Sequence, residues 1–500
     1  MATTAPRSKE SLPTKIDAQK VVGVRFRELG GRYLMTNDSG RHVMLSRGDL
    51  GRYLEGGLSP ETPLWIDLQA KGFVRDHLDF ESLVREFRTM NSFLWQGPSL
   101  HILVVTLRCN HKCLYCHSSA VNPSRGDTDM SLETARSAVD AIFKSPSPKL
   151  VIEFQGGEPL MNWPAVQFAV RYAKARNEVE KRSLVISLVS NMSLMDEEKL
   201  AFLQDNEVSL CTSLDGPSDP HDRNRIISGG GSHAHVVRWI ERLNDCYKGE
   251  HSPRRRLFKP AALMTTTRFS LPRWKEIVDE YVRLGMEDIF LRPLSPIGYA
   301  KKVWPKIGYT AAEFLEFYRQ ALDYILQLNL EGKPMAERFA VILLTKILGL
   351  RDNGFVDLRS PCGAATGQLA YNYDGGVYTC DEGRMVAQQG SDLFKVGSLR
   401  SSYRELIDSP ACRVLCAASS MDGQPACNRC VYKPYCGVCP VHNYEAQGAV
   451  WGRMPAGDYC AVHMGIFDLL FERLERPEYR KIFESWIAPR KEEANHGPEA

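Results

Sequence analysis

The sequence predicts an α/β fold, a partial (β/α)6 barrel between a small N-terminal module and a Cys-rich C-terminal region. In the middle of the chain, apolar strand-like segments alternate with helical segments, which is typical of a parallel sheet with crossover helices. Short alternating stretches separated by glycines precede this part. Nine of the 14 cysteines lie between Cys362 and Cys460. These three observations define the predicted architecture.

Composition restricts the function classes. The chain has 500 residues, of which 43% are hydrophobic and 25% charged, as in ordinary globular proteins. Its formal charge is only +3, so we expect no nucleic-acid partner. The sequence has no run of 18 apolar residues and no apolar N-terminal signal, so we expect no membrane association and a cytoplasmic location. In that reducing compartment, clustered cysteines indicate metal sites rather than disulfides.

Residues 1–95 are predicted to form the N-terminal module. From Val22, three alternating stretches separated by glycine-containing turns indicate an antiparallel meander. Ser46, with Asp49 three residues later, predicts the start of a helix, and further helical stretches follow at 62–71 and 80–94. The module is therefore predicted as three strands followed by helices.

Residues 96–295 are predicted to form the barrel. The strand-like runs are 100–107, 150–154, 184–189, 207–213, 259–265 and 288–292. Helical stretches separate them at 131–143, 163–179, 195–205, 233–247 and 270–284. In such folds the functional residues lie at the carboxyl ends of the strands.

The remaining chain is divided into three parts. Residues 296–360 are predicted as a helical connector with an amphipathic helix near 337–349. Residues 361–475 are predicted as a Cys-rich domain with little regular periodicity and a final helix at about 461–475. Residues 476–500 are predicted as a charged tail.

The first cysteine motif directly follows the first barrel strand. Cys109, Cys113 and Cys116 have the spacing C-x3-C-x2-C. Structural zinc normally has four protein ligands. Three thiolates can instead bind three irons of a [4Fe–4S] cluster and leave the fourth iron open. A zinc knuckle with a missing ligand and a group of buried thiols are the alternatives.

This motif, with the aromatic Tyr115 before its last cysteine, resembles the signature of the radical S-adenosylmethionine (SAM) enzymes. The resemblance implies a radical SAM barrel, with SAM bound through its amino and carboxylate groups to the open iron. Gln155 to Pro159 follows the second strand where the family has its GGEP motif, and Ser213 to Pro217 follows the fourth. The implied SAM contacts are Tyr115, Gln155, Gly156, Gly157, Glu158, Ser213, Asp215 and Arg225. Among them, Glu158 is expected to accept from the SAM ammonium, and Arg225 to pair with its carboxylate.

The C-terminal cysteines resemble a SPASM domain, the extension of radical SAM enzymes that modify peptides and proteins. In those enzymes the SPASM domain holds two auxiliary [4Fe–4S] clusters. The implied ligands are Cys362, Cys380 and Cys439 for auxiliary cluster I and Cys427, Cys430, Cys436 and Cys460 for auxiliary cluster II. Two residues rather than the usual three precede Cys439. A zinc ribbon over 427–439 is the competing interpretation, which leaves the outer cysteines without a role.

Three further residues of this region are candidates. Cys412 and Cys416 are additional to the motif, and either is a fourth ligand of auxiliary cluster I or both are ordinary helix-borne thiols. Asp381 directly follows Cys380. In relatives that oxidise a protein side chain, a carboxylate at this place takes the proton released after hydrogen abstraction. The alternative for Asp381 is a solvated turn residue.

The N-terminal module resembles the winged-helix-like peptide-binding element of maturases of ribosomally made peptides. Such an element takes a leader peptide as an added strand, here expected near Arg41 to Leu45. The stretch CNHKCLYCHSSA and this architecture most resemble the B-type radical SAM maturases of the His-Xaa-Ser peptide system.

The resemblance implies oxidation or cross-linking of side chains in a precursor peptide, with reductive SAM cleavage supported by an electron donor such as flavodoxin or ferredoxin. The alternatives are a maturase of a folded protein, such as a sulfatase or dehydrogenase, and a non-catalytic iron–sulfur electron carrier.

Overall fold

The computed structural model describes residues 12–13, 16–247, 259 and 261–488. The strands are β1 (Arg25–Leu29), β2 (Arg32–Thr36), β3 (His42–Leu45), β4 (Leu100–Thr106), β5 (His111–Cys113), β6 (Lys149–Gly156), β7 (Ser183–Val189), β8 (Val208–Ser213), β9 (Arg225–Ile227), β10 (Ala261–Thr265), β11 (Asp288–Ile289), β12 (Leu291–Arg292), β13 (Ala336–Glu337), β14 (Gln368–Tyr371), β15 (Gly376–Tyr378) and β16 (Lys395–Ser398).

The helices are α1 (Arg47–Leu54), α2 (Pro63–Ala70), α3 (Phe80–Met90), α4 (Leu132–Ile142), α5 (Trp163–Glu180), α6 (Glu197–Asp205), α7 (Ser218–Asn224), α8 (Ser232–Tyr247), α9 (Trp274–Arg283), α10 (Tyr299–Lys302), α11 (Trp304–Ile307), α12 (Ala311–Leu330), α13 (Arg338–Ile347), α14 (Asp381–Ala387), α15 (Tyr403–Ile407), α16 (Pro410–Ser419), α17 (Pro425–Asn428), α18 (Pro440–Gln447), α19 (Asp458–Leu474) and α20 (Pro477–Ile487).

A nine-stranded sheet in the order β12-β10-β8-β7-β6-β4-β14-β15-β16 is the central element. Its first six strands are parallel neighbours in the order that the alternating pattern predicts. The predicted partial (β/α)6 barrel is confirmed. Between β4 and β6 the register shifts after Val104, so that Thr106 lies opposite Gly156. This bulge re-aims the chain as it enters the first cysteine motif.

The sheet continues into the Cys-rich region, whose sequence has little regular periodicity. There β14 pairs parallel with β4, and β15 and β16 continue antiparallel. All four residues of β14 are buried, so the strand lacks the alternation of a half-exposed strand. A run of four residues is also too short to distinguish a strand from a helical segment by its pattern.

Residues 296–360 contain helices, as expected of the helical connector, whereas α20 departs from the predicted charged tail. Within the connector, α12 spans 20 residues and begins at a capping box of Thr310 and Glu313. Residues 477–487, predicted as part of a charged tail, form α20, whose Phe483 is fully buried. Its apolar residues recur at helical spacing, which is a signal for an amphipathic helix. The many charged residues around them favoured the prediction of a tail instead. The tail expected from 490 onward lies outside the described residues.

The N-terminal module has the predicted three strands and helices, and the Ser46 side chain caps α1 by accepting from the Asp49 N–H. It packs tightly on the C-terminal region. Leu29 and Leu34 belong to the same buried cluster as Phe467 of α19. The module therefore contributes to the core of the molecule and is not a freely tethered unit. No helix in the described ranges is long and apolar enough to cross a membrane.

Candidate functional site

The first three cysteines lie at the carboxyl end of β4. Cys109 follows β4, and β5 carries Cys113 into antiparallel pairing with β9, opposite Arg225. The Cys116 N–H donates to the Cys113 carbonyl over 3.1 Å, which closes the loop. All three thiols are half-buried. Burial raises the pKa of Cys113 to about 11, so metal binding there must release protons.

The two glycines of the 155–159 segment have a steric role in this loop. A Cβ on Gly157 would lie 2.2 Å from the Arg108 carbonyl oxygen, and one on Gly156 would lie 2.1 Å from the Thr106 carbonyl oxygen. The backbone that approaches here is the chain entering Cys109. The structure shows close packing of two strand ends at these glycines, and their expected contacts with SAM stay predictions.

Gly157→Ala is expected to displace the first cysteine loop, because overpacking against backbone costs about 1–3 kcal/mol or moves the backbone. After anaerobic reconstitution, iron bound at the first motif should fall. Gly126→Ala is the matched control, since a Cβ at Gly126 meets no atom within 4 Å. Equal iron content in both variants would contradict the steric argument.

Glu158 is almost fully buried, and its hydrogen bonds join the segments that follow β6 and β7. One carboxylate oxygen accepts from the Leu160 N–H at 3.0 Å and the Ser190 hydroxyl at 2.9 Å, and the other accepts from the Asn191 N–H at 2.8 Å. Burial raises the pKa of Glu158, while these backbone donors favour its ionised form. The carboxylate is thus already satisfied within the protein, and its predicted contact with the SAM ammonium stays a prediction.

No recognised motif marks the end of the third barrel strand. There Asn191 donates from Nδ2 to Asn110 Oδ1 over 3.0 Å, and its amide lies 3.9 Å from Cys109 Sγ. The available signal was a polar Ser190-Asn191 pair directly after an apolar strand. Its position in the repeating strand–helix unit matches those of the motifs after the second and fourth strands.

Asp215 and Arg225 are joined through Tyr115. The Arg225 Nη1 donates to the Tyr115 hydroxyl, which in turn donates to Asp215 Oδ2, both over 2.7 Å. Burial raises the pKa of Asp215, and the Arg225 charge opposes that rise. Arg225 Nε is buried and has no hydrogen-bond partner among the described residues. An unpaired cationic donor beside the first cysteine motif fits an anionic ligand such as the SAM carboxylate.

Gln155 and Ser213 lie on half-buried positions at the ends of β6 and β8. Gln155 Nε2 donates to Glu153 Oε1 over 2.6 Å. Burial raises the pKa of Glu153, and the Asp381 charge adds to the rise. A carboxylate of the barrel strands therefore lies within electrostatic range of Asp381 in the C-terminal domain.

The structure separates seven C-terminal cysteines into two groups. Cys362, Cys380 and Cys439 share one buried cluster, and Cys439 Sγ accepts from the His442 N–H. The other group lines a cavity of about 360 Å³, and its members are Cys427, Cys430, Cys436 and Cys460. This is the division that the SPASM resemblance implies, including the placement of Cys439 despite its shorter spacing. A cavity lined by four thiols fits a cluster with four cysteine ligands, and the ligand role of these cysteines stays a prediction.

Cys412 and Cys416 lie on α16, one turn apart. Cys416 contributes to raising the pKa of Cys362, which places it near the first group. Cys412 is buried in the cluster of Leu406 and Val396, and the partly buried Cys416 packs against the same cluster. The role of either thiol as a fourth ligand of auxiliary cluster I stays a prediction.

Asp381 begins α14 directly after Cys380. Its Oδ1 accepts from Arg384 Nε at 2.8 Å, and the Arg384 side chain is fully buried. Arg384 also carries an Nη2 that lacks a partner in the described part of the chain. Asp381 is thus a buried member of an ion pair rather than the solvated turn residue of the alternative interpretation.

A cavity of about 180 Å³ lies between the barrel and the C-terminal domain, beside the segment that begins with Asp381. Glu382, Arg292 and Asp357 line it, together with Cys439. Burial raises the pKa of Glu382 to about 7, with Asp357 and Asp381 adding to the rise. Sequence analysis did not single out Glu382 or Arg292, because single charged residues carry no motif. Only the tertiary structure brings them together.

Comparison with known proteins agrees with this geometry. The sequence profile of the radical SAM superfamily matches residues 103–251, which contain the first cysteine motif and the strand ends around it. The chain contains a radical SAM domain. Its cofactors are accordingly SAM and [4Fe–4S] clusters.

Curated relatives of this radical SAM protein include maturases. A cysteine-type anaerobic sulfatase-maturating enzyme of Clostridium perfringens (strain 13 / Type A) is 23% identical over 387 residues, covering 75% of this chain and 98% of the relative. The radical SAM cyclopropyl synthase TigE of Paramaledivibacter caminithermalis is 28% identical over 132 residues, 24% of this chain and 27% of the relative.

Solved structures share the fold. Native anSMEcpe with bound AdoMet matches with a TM-score of 0.63 at 20% identity, covering 76% of this chain and 100% of that structure. Streptococcus suis SuiB bound to the precursor peptide SuiA matches with a TM-score of 0.52 at 12% identity, covering 88% and 98%. The fold of this chain is thus shared with both structures over most of its length.

Proposed function

We propose that this radical SAM protein is a maturase that oxidises a side chain of a folded protein, in the manner of the sulfatase-maturating enzymes. The similarity to such an enzyme over 98% of its length carries the proposal. The radical generated from SAM supplies the hydrogen abstraction. We place the reaction in the cytoplasm, with flavodoxin or ferredoxin as the electron donor.

The proposed roles of the chain's own residues follow the site geometry. Cys109, Cys113 and Cys116 would hold the cluster that binds SAM, and Arg225 would orient the SAM carboxylate. The cavity beside Glu382 would receive the substrate side chain, close to both the barrel strands and the first auxiliary group. Asp381 would accept the substrate proton, and the buried clusters would carry the electron away.

Maturation of a ribosomally made precursor peptide is the second candidate. The fold match to SuiB bound to its precursor peptide favours it, because that match extends over 88% of this chain and the anSMEcpe match over 76%. In the module, β3 is the terminal strand of the three-stranded sheet, as a strand-addition site requires. His42 in β3 also packs edge-on against Phe471 of α19, at 5.1 Å between rings.

The two candidates are separated by substrate. The reconstituted, reduced enzyme with SAM is incubated either with a Cys-containing peptide representing a sulfatase active-site segment or with a precursor peptide encoded beside its gene. Mass spectrometry of the peptide and chromatography of 5′-deoxyadenosine provide the measurements. We expect an oxidised cysteine in the first reaction, with 5′-deoxyadenosine formed in step with product.

Modification of the precursor peptide alone would reject the folded-protein proposal and establish the second candidate. Formation of 5′-deoxyadenosine without change in either peptide would reject both substrates. An enzyme lacking the first three cysteines serves as the control for uncatalysed change in the peptides.

A further inference from the structure

The cavity lined by Cys427, Cys430, Cys436 and Cys460 has a wall from the N-terminal module. Phe26 and Arg27 of β1 line it together with the four cysteines. These cysteines are about 400 residues later in the chain, and no sequence motif connects them with β1. The proximity exists only because the module packs on the C-terminal domain.

Specific hydrogen bonds from β1 and β2 hold the N-terminal module against this cavity. Arg25 Nε donates over 2.7 Å to the carbonyl of Asn428, which lies between Cys427 and Cys430. The Thr36 hydroxyl donates over 2.8 Å to the Val431 carbonyl, just after Cys430. The module is thus bonded to both sides of the short loop that carries two of the four thiols.

Arg27 presents a polar group without a partner at this place. Its Nη2 donates to Asp468 Oδ2 over 3.0 Å, and its guanidinium lies 5.7 Å from the centre of the Tyr432 ring. Its Nη1 is buried and has no hydrogen-bond partner among the described residues. Leaving a guanidinium donor unpaired in a buried position is costly unless a bound group accepts its hydrogen bond.

We propose that β1 completes the site of auxiliary cluster II and that Arg27 acts as a positioning residue which raises the reduction potential of this cluster. Reduction adds one negative charge to a cluster, and a nearby cation with a free N–H donor stabilises that charge. Asp468 offsets part of the Arg27 charge, and Arg429 and Lys433 also line the cavity. Among these cations, Arg27 is the one with a buried donor that lacks a hydrogen-bond partner in the described part of the chain. The inference rests on the proposed assignment of auxiliary cluster II to these four cysteines.

The experiment is a potentiometric titration followed by electron paramagnetic resonance on the reconstituted full-length chain. Cys430→Ala first identifies the signal of auxiliary cluster II by its loss, and iron analysis should show about four irons fewer. Arg27→Gln removes the charge, whereas Arg27→Lys keeps it. We expect a more negative midpoint potential in Arg27→Gln, with Arg27→Lys between that variant and the unaltered enzyme.

Arg32→Gln is the matched control. Arg32 is in β2 of the same module and pairs with Glu475 at the end of α19, but it does not line the cavity. Loss of the Arg32 charge weakens the same interface without altering the cluster site. The midpoint potential of auxiliary cluster II should therefore be unchanged in Arg32→Gln.

The outcomes distinguish this inference from the cluster assignment. A potential of Arg27→Gln equal to that of the unaltered enzyme, at equal iron content, overturns the role of Arg27. If Cys430→Ala retains all its iron and signals, the assignment of auxiliary cluster II fails instead. If Arg27→Gln loses iron, the midpoint potentials of Arg27→Lys and Arg32→Gln are compared instead. Equal potentials at full iron content overturn the role of the Arg27 donor. A more negative potential in Arg27→Lys supports that role.

Discussion

Replacement of Cys109, Cys113 and Cys116 by alanine is expected to abolish reductive SAM cleavage. The three thiols lie on one loop at the end of β4, and β5 within this loop pairs antiparallel with β9. They are the ligands proposed for the cluster that binds SAM, and without them no electron reaches SAM. Anaerobic assay of 5′-deoxyadenosine provides the measurement. Iron analysis should show about four irons fewer than in the unaltered enzyme.

Cys246→Ala is the matched control, because Cys246 on α8 lies outside both cysteine groups. The two C-terminal groups lie in separate clusters and should keep their iron in the triple variant. Persistent SAM cleavage in the triple variant would show that another site generates the radical. Loss of all iron would instead show that the three sites do not fill independently.

Asp381→Asn is expected to lower product formation by about a hundredfold or more while SAM cleavage continues, since the amide cannot accept a proton. The variant also removes the charge that pairs with the fully buried Arg384. Removal of one partner from a buried ion pair costs about 3–5 kcal/mol, so thermal unfolding must be measured alongside. Product is quantified per 5′-deoxyadenosine formed, which separates proton transfer from radical generation.

Two variants make this experiment decisive. Asp392→Asn is the control for stability and charge, because Asp392 is an exposed residue of the same domain that pairs only loosely with Lys395, at 3.6 Å. Glu382→Gln tests the carboxylate that lines the adjoining cavity. If Glu382→Gln loses product and a folded Asp381→Asn keeps it, the proton acceptor is Glu382.

Local sequence patterns were sufficient to predict much of the fold of this protein. Six strand-like runs, separated by helical segments, predicted the order of the barrel strands, because each parallel strand needs a crossover element before the next. The resemblance of the C-terminal cysteines to a SPASM domain implied the two groups of thiols. The Ser46–Asp49 cap predicted the start of α1, since capping depends only on residues within one turn.

Only the tertiary structure decided which distant groups meet. The extension of the barrel sheet by β14, the burial of α20 and the wall that β1 forms beside Cys430 depend on contacts between segments far apart in sequence. Local propensity carries no information on such contacts, because their free energy comes from burial and packing between elements. Sequence therefore determined the cofactor chemistry and the barrel, whereas packing determined the charges that surround the cysteines.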